Sequence, residues 1–262
     1  MRCTFLILIA VLVCLVVQLC RAPSRKVSSF KSIHPGTYPK VIYITYKTKE
    51  SVPAAVVDKL QTMNPNFEVK VYGDSECVNF LRSEFSEEYV NFFEQIKDGP
   101  IKADFWRCCI LYKYGGVYCD ADVNLQQGIE EFVDEDVDFC TSGSFVSTRV
   151  NPILLVAKAG HPILKRTIEL FFTMPQPYIK GTHYWVYSVT GHMYRALKEY
   201  LPEFEGNVDR MYHLDNGAKL QMLRESNWFP VTDDARTFWK GSVVLYNHST
   251  DTYDSVNHGF LK

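Results

Sequence analysis

Residues 3–20, CTFLILIAVLVCLVVQLC, form an apolar run without a charge. Eighteen such residues are just enough to cross a bilayer as a helix. The run is long for the centre of a cleaved signal peptide, and no clean small-residue cleavage site follows it. Residues 1–22 are therefore expected to stay as an N-terminal membrane anchor, with residues 23–37, basic, Ser-rich and broken by proline, as a stem. From residue 38 the pattern changes to that of a globular domain reaching residue 262. Residues 40–46, KVIYITY, read as a buried strand. Residues 52–63 have helical spacing with Pro53 in the first turn, Asn64-Pro65-Asn66 turns the chain, and residues 67–72, FEVKVY, alternate as a strand. Asp74 is expected to cap the next helix, and amphipathic stretches run to about Lys97. Strand, helix, strand, helix is the grammar of an α/β layer structure.

Residues 101–125, IKADFWRCCILYKYGGVYCDADVNL, open on fourteen positions that read as an apolar-rich helix. Gly115 can take the left-handed conformation that ends it, and Gly116 extends the turn. A strand is expected next. Alternation puts Val117, Cys119, Ala121 and Val123 on one face, fit for burial, and Tyr118, Asp120, Asp122 and Asn124 on the other, accessible one. Two carboxylates side by side repel and call for a cation. Mg²⁺ or Mn²⁺, which take oxygen ligands and leave room for substrate phosphates, answer that need. A D-x-D alone is common by chance. The chain holds two more, Asp134–Asp136 and Asp136–Asp138, read as a solvated acidic run. The context of helix, Gly-Gly, apolar position and D-x-D carries the signal. Asp104 and Arg107 share a helix face at i, i+3; they are either a surface ion pair or part of the same site.

Composition narrows the picture. With 47% hydrophobic residues the domain can build a core, and 28 basic against 30 acidic residues give no electrostatic case for nucleic acid. Of eight cysteines, Cys3, Cys14 and Cys20 lie in the anchor, while Cys77, Cys108, Cys109, Cys119 and Cys140 lie in the domain. No C-x-x-C pair occurs, which argues against a zinc site. The five domain cysteines read as free core thiols, with one or two disulfides as the alternative if the domain is luminal.

The motifs resemble those of glycosyltransferase family 32, which includes initiating α-1,6-mannosyltransferases and mannosyltransferases acting on inositol phosphorylceramide. Pro39-Lys40-Val41-Ile42-Tyr43-Ile44-Thr45-Tyr46 is similar to the family's opening block, with Tyr43 and Tyr46 replacing its His and Trp. Asn64 to Val69, Ala103-Asp104-x-x-Arg107 and Tyr114 to Asp122 resemble its next blocks, as do Asn151, His161-Pro162 and Thr190-Gly191-His192, the last with His for Pro. The resemblance implies a nucleotide-diphospho-sugar transferase fold of the GT-A type, a Rossmann-like twisted sheet flanked by helices. It implies that Asp122 ligates the metal, that Asp120 contacts the ribose or the metal, and that Asp104 and Arg107 hold donor-sugar hydroxyls. Tyr46 and Asn151 join them in binding the donor. A C-terminal histidine, His248 or its alternative His258, would complete the metal site. Asn247-x-Ser249 is also a glycosylation sequon.

The implied activity is transfer of a hexose (mannose, galactose, glucose or N-acetylglucosamine) from a nucleotide-sugar donor to a glycan, glycoprotein or glycolipid, with retention of configuration. The resemblance implies a luminal domain in the Golgi or endoplasmic reticulum. Arg21, Arg25, Lys26 and Lys31 after the apolar run place it in the cytosol by the positive-inside rule. Three rival readings exist. Asp120, Asp122, Asn124 and Glu131 match EF-hand positions 1, 3, 5 and 12, but Leu125 stands where that loop needs glycine. A haloacid-dehalogenase-like phosphatase would use the first aspartate as nucleophile, with Asp233-Asp234 as a later acidic pair. A non-catalytic sugar-binding membrane protein would keep the motif without turnover.

Overall fold

The computed structural model describes residues 36–146, 148–173, 188–214, 217–226 and 236–246. The first apolar alternation forms β1 (Val41–Thr45), with Ile42 and Ile44 buried against one face of the sheet and Tyr43 against the other. The chain crosses through α1 (Ala54–Met63) to β2 (Glu68–Tyr72), parallel to β1. Three helices follow, α2 (Asp74–Glu84), α3 (Glu87–Gln95) and α4 (Gly99–Tyr114). Then β3 (Gly116–Cys119) returns on the opposite side of β1, again parallel to it. The strand order thus reverses at β1. In open α/β sheets that reversal leaves a crevice outside the carboxyl ends of the two strands, where ligands bind.

The chain goes on through β4 (Asn124–Leu125), α5 (Ile129–Phe132), β5 (Phe139–Gly143), β6 (Val150–Ala157), α6 (Pro162–Phe171), α7 (Val189–Tyr200), β7 (Arg210–His213), β8 (Lys219–Glu225), β9 (Arg236–Trp239) and β10 (Ser242–Tyr246). Among the described residues the strands form one mixed sheet, β2-β1-β3-β6-β5-β8-β9-β10-β4, with β7 beside β8. One core lies between the sheet and α2, α3, α4, α6 and α7; the other lies beneath α1 and α5. This is the α/β layering expected from the sequence. No helix among the described residues is long and apolar enough to cross a membrane; the expected anchor, residues 3–20, lies outside them.

Helix α4 sets the geometry at the carboxyl end of β3. Asp98 caps it by accepting from Ile101 N at 3.3 Å, Pro100 sits in its first turn, and its side chains are buried nearly all round. Such a helix belongs in the interior. Gly115 (φ 68°) ends it and Gly116 (φ 104°) starts β3. A Cβ on Gly115 would lie 2.7 Å from Ala159 N, and one on Gly116 2.9 Å from Val41 O, so both positions need glycine for conformation and for space. The five domain cysteines are free and buried.

The structure corrects three expectations. Gly73, not Asp74, precedes α2: Glu76 accepts from Gly73 N at 3.0 Å, while Asp74, inside the first turn, pairs with Lys102 at 2.8 Å. The strand after Gly115 stops at Cys119. Val117, Cys119, Ala121 and Val123 do share one buried cluster, but Tyr118 is buried against α4 rather than accessible. The acidic run is solvated only in part. Asp134 and Asp136 are exposed, whereas Asp138 is buried, paired with Lys158 at 3.0 Å and accepting from Lys219 N at 2.8 Å.

His161 and Pro162 open α6, beyond the end of β6 that points away from the crevice. Asn64, in the other family-like block, accepts from Ile129 N at 2.7 Å and so ties down the start of α5. Both act in the scaffold. Burial, only partly offset by Asp138, pushes the His161 imidazole down to about 3, and its ring stacks on Phe139 at 4.9 Å. The folded chain therefore holds this histidine neutral, while the unfolded chain binds a proton below its ordinary value of about 6.5. The resulting stability is fully present above about pH 6.5 and is lost as pH falls from there toward 3. His161→Leu should remove a slope of about 1.4 kcal/mol per pH unit across that window. Urea unfolding of both proteins from pH 7 to 4 measures it; parallel pH profiles would show that the ring does not titrate on unfolding.

Candidate active site

At the carboxyl end of β3 the backbone turns back on itself: Val123 N donates to Asp120 O at 3.2 Å. The strand ends before the D-x-D, yet the expected alternation of burial carries on through it: Ala121 and Val123 are buried, Asp120 and Asp122 half-exposed. Asp120 stays attached to β6, its N–H donating to Ile153 O at 2.9 Å. β6 bulges between its pairings to β5, and Pro152, which lacks an N–H, falls in the bulge. The freed Pro152 carbonyl accepts from Arg107 Nη1 at 2.6 Å.

Arg107 reaches from α4 into the middle of this arrangement. Its Nη2 lies 3.0 Å from Asp104 Oδ1 and 3.0 Å from Asp120 Oδ1, and its guanidinium sits 4.2 Å from the centre of the Tyr118 ring. Tyr118 in turn donates its hydroxyl to Asp120 Oδ1 at 2.9 Å. Asp104 Oδ2 accepts from Val189 N at 3.1 Å, so it also satisfies the first N–H of α7. The Arg107, Asp104 and Asp120 side chains are 5%, 9% and 23% exposed. The surface-ion-pair reading of Asp104 and Arg107 is therefore overturned: they form a buried network directly beneath the carboxylate turn.

The charges follow from that burial. Desolvation pushes Asp104 up to about 6 despite the opposing pull of Arg107. Burial likewise raises Asp120, Arg107 opposes it, and the neighbouring Asp122 carboxylate raises it further. Burial works against the Arg107 charge, but Asp120, Tyr118 and Asp104 hold its proton more firmly than usual. Two carboxylates thus share one guanidinium and the Asp122 carboxylate stands beside Asp120, an acidic site that a divalent cation would balance.

Tyr46 follows β1 directly, half-buried, its N–H donating to Tyr72 O at 3.0 Å. Burial and then Asp122 push its phenol up, which puts Tyr46 beside the turn from the β1 side of the crevice. Asn151 lies at the start of β6, one residue before Pro152, and donates from Nδ2 to Glu225 Oε1 at 2.5 Å. The structure thus brings Tyr46, Asp104, Arg107, Asp120, Asp122 and Asn151 to one end of the sheet. Thr190-Gly191-His192 falls in the first turn of α7, with His192 buried against Phe171. His248, His258, the sequon and Asp233-Asp234 lie outside the described residues. β10 ends at Tyr246, which pairs with Asn124 beside the D-x-D.

The donor chemistry suits a hard cation. The turn offers carboxylate oxygens, and no group of three metal-ligating side chains occurs among the described residues. Carboxylate oxygens are the ligands that Mg²⁺ and Mn²⁺ prefer. Two participants were missed in the sequence. Tyr118 could have been found from its place two residues before Asp120; Glu225 ends an unremarkable strand and carries no local signal.

The family described as "Glycosyltransferase sugar-binding region containing DXD motif" matches residues 51–138, the stretch that holds α1 to α5 and the carboxylate turn. Over those residues the chain is similar to that family. Among similar proteins, inositol phosphoceramide mannosyltransferase 3 of Schizosaccharomyces pombe is 30% identical over 138 residues, covering 50% of this chain and 36% of the relative. The initiation-specific alpha-1,6-mannosyltransferase of Candida albicans is 24% identical over 160 residues, covering 50% of this chain and 42% of the relative. An uncharacterized glycosyltransferase of Acanthamoeba polyphaga mimivirus is 28% identical over 99 residues, 36% of this chain and 39% of that one. The chain thus spans about two fifths of the length of these curated relatives. Among solved structures, the PaToxG glycosyltransferase superposes with a TM-score of 0.50 at 14% identity, over 64% of this chain and 71% of that one.

Proposed function

We propose that this protein is a metal-dependent glycosyltransferase with a GT-A type fold, moving a hexose from a nucleotide-sugar donor to a hydroxyl of a glycan or glycolipid. The observation that carries the reading is the Asp120–Asp122 turn at the carboxyl end of β3, where the strand order reverses, locked from below by Arg107. Names of the similar yeast proteins favour mannose as the sugar. Asp122 and Asp120 would hold Mg²⁺ or Mn²⁺, with His248 or His258 as the third protein ligand. When bound, the ion supplies positive charge to the departing diphosphate.

This chain's own side chains supply placement. Arg107 and the Tyr118 hydroxyl fix Asp120 in one orientation, and Asp104 fixes Arg107. Asp104 and Arg107, whose family-implied role is to hold sugar hydroxyls, reach the crevice mainly through Asp120. Tyr46 and Asn151 stand on either side of the turn, where the donor would lie. The acceptor hydroxyl attacks the anomeric carbon, the bond to the diphosphate breaks, and the acceptor proton leaves to solvent. The phosphatase alternative is disfavoured because Asp120, its nucleophile, is bound by a guanidinium and a phenol that draw off its charge.

Incubating the purified chain with Mn²⁺ and a panel of nucleotide sugars tests the reading. Release of nucleotide diphosphate from one or a few donors, lost with a chelator and restored by Mn²⁺, is the expected result. Binding without turnover of any donor, with or without sugar acceptors, would leave a sugar-binding protein and defeat the proposal.

A further inference from the structure

Glu225 is a buried carboxylate, 2% exposed, at the carboxyl end of β8, at the same end of the sheet as the carboxylate turn. Its backbone is clamped by one side chain. Glu225 N donates to Asn207 Oδ1 at 2.7 Å, and Glu225 O accepts from Asn207 Nδ2 at 2.9 Å. Asn207 can come this close only because Gly143 faces it: a Cβ there would lie 2.4 Å from Gly206 O and 2.6 Å from the Asn207 Cα. The carboxylate is thereby held still, and each oxygen has a task. Oε1 accepts from Asn151 Nδ2 at 2.5 Å, and Oε2 accepts from Phe145 N at 3.3 Å.

Burying a carboxylate is costly, and an uncharged residue would close the strand at lower cost. The chemistry of the Asn151 contact gives the charge a use. An amide can present either its oxygen or its nitrogen to a neighbour, and the two flips differ little in shape. An ionised carboxylate only accepts hydrogen bonds, so it fixes Asn151 with the amide nitrogen toward Glu225 and leaves the amide oxygen as a committed acceptor. Asn151 is also well placed. In the antiparallel β3–β6 pair Cys119 lies opposite Leu154 and Asp120 N bonds Ile153 O, so β6 runs toward Asn151 alongside the turn that carries Asp122.

We propose that Glu225 is a positioning residue for the donor: it orients the Asn151 amide so that its oxygen receives a hydroxyl of the sugar. The inference rests on the glycosyltransferase reading above. Its test uses the full chain with Mn²⁺, with GDP-mannose and UDP-glucose as donors and GDP and UDP as binding probes. Glu225→Gln can pair with either flip of the amide, and Asn151→Asp faces Glu225 with a like charge. Each should raise the KM for the donor by about tenfold, the worth of one hydrogen bond. Affinity for the nucleotide diphosphate, measured by calorimetry, should stay within about twofold, because those contacts lie elsewhere. The double variant Glu225→Gln/Asn151→Asp rebuilds the bond with donor and acceptor exchanged and still leaves a carboxylate oxygen for the sugar. It should return KM to within about threefold of the wild type, a coupling that independent sites do not show. A double variant no better than the singles, an unchanged KM in Glu225→Gln, or equal losses of donor and diphosphate affinity would overturn the proposal alone. A wild-type chain that turns over no member of the nucleotide-sugar panel overturns the glycosyltransferase reading and this one with it, and a chain active only on another member is tested with that donor and its nucleotide diphosphate.

Discussion

Arg107→Ala is expected to destabilise the fold by about 3–5 kcal/mol and to abolish transfer, because it strips the counter-charge from a buried group of carboxylates. Asp104 and Asp120 both rest on this guanidinium at 3.0 Å, and Pro152 O loses its partner as well. A surface ion pair would lose less than about 1 kcal/mol, so the magnitude alone separates the two readings. Arg107→Lys sharpens the test. One ammonium is a compact point charge and cannot form the fork that bridges two carboxylates while stacking on Tyr118. It should recover part of the stability and little of the activity, since Asp120 would no longer be held in one orientation. Urea unfolding and steady-state transfer on the same preparations give both numbers. A loss under about 1 kcal/mol in Arg107→Ala with wild-type transfer would remove Arg107 from the site.

The route from sequence to this site was legible where local rules act alone. The apolar runs gave β1 and β2, and the burial pattern around α4 followed from its composition. Gly115 and Gly116 announced the end of a helix, and the structure shows that both also make room for neighbouring backbone. Alternation placed Val117, Cys119, Ala121 and Val123 together correctly. It held for Asp120 and Asp122, both half-exposed although the strand ends before them, and failed for Tyr118 because the sheet is covered on both faces. Neither a second helical layer nor a four-residue turn is written in a period of two. Burial of Asp104 and Arg107 was likewise hidden: i, i+3 spacing says that they touch, but not that β3, β6 and α7 close over them. Glu225 reaches Asn151 across 74 residues, and nothing in its local sequence points there.

Asp122→Ala is expected to cut transfer by at least about a hundredfold, as removal of one electrostatic contributor at a reacting centre does, while leaving the fold intact. The contrast with Arg107 comes from position. Asp122 is half-exposed on the turn, so its loss opens no buried cavity, and surface changes of this kind usually stay within about 0.5 kcal/mol. Its removal also takes away a like charge that raises Asp120, so Asp120 should ionise more readily and bind Arg107 at least as well. The variant is therefore a folded protein with one metal-facing oxygen group missing. Titrating Mn²⁺ by calorimetry in the presence of GDP or UDP isolates that loss: the wild type should bind metal and nucleotide diphosphate together, and the variant should lose the mutual enhancement. Asp122→Asn keeps the shape and half the oxygen donors but not the charge, and should fall between the two if the cation is bound through charge as well as geometry. An Asp122→Ala protein with wild-type Mn²⁺ affinity would place the metal elsewhere, and the turn at the end of β3 would then have to be read as scaffold.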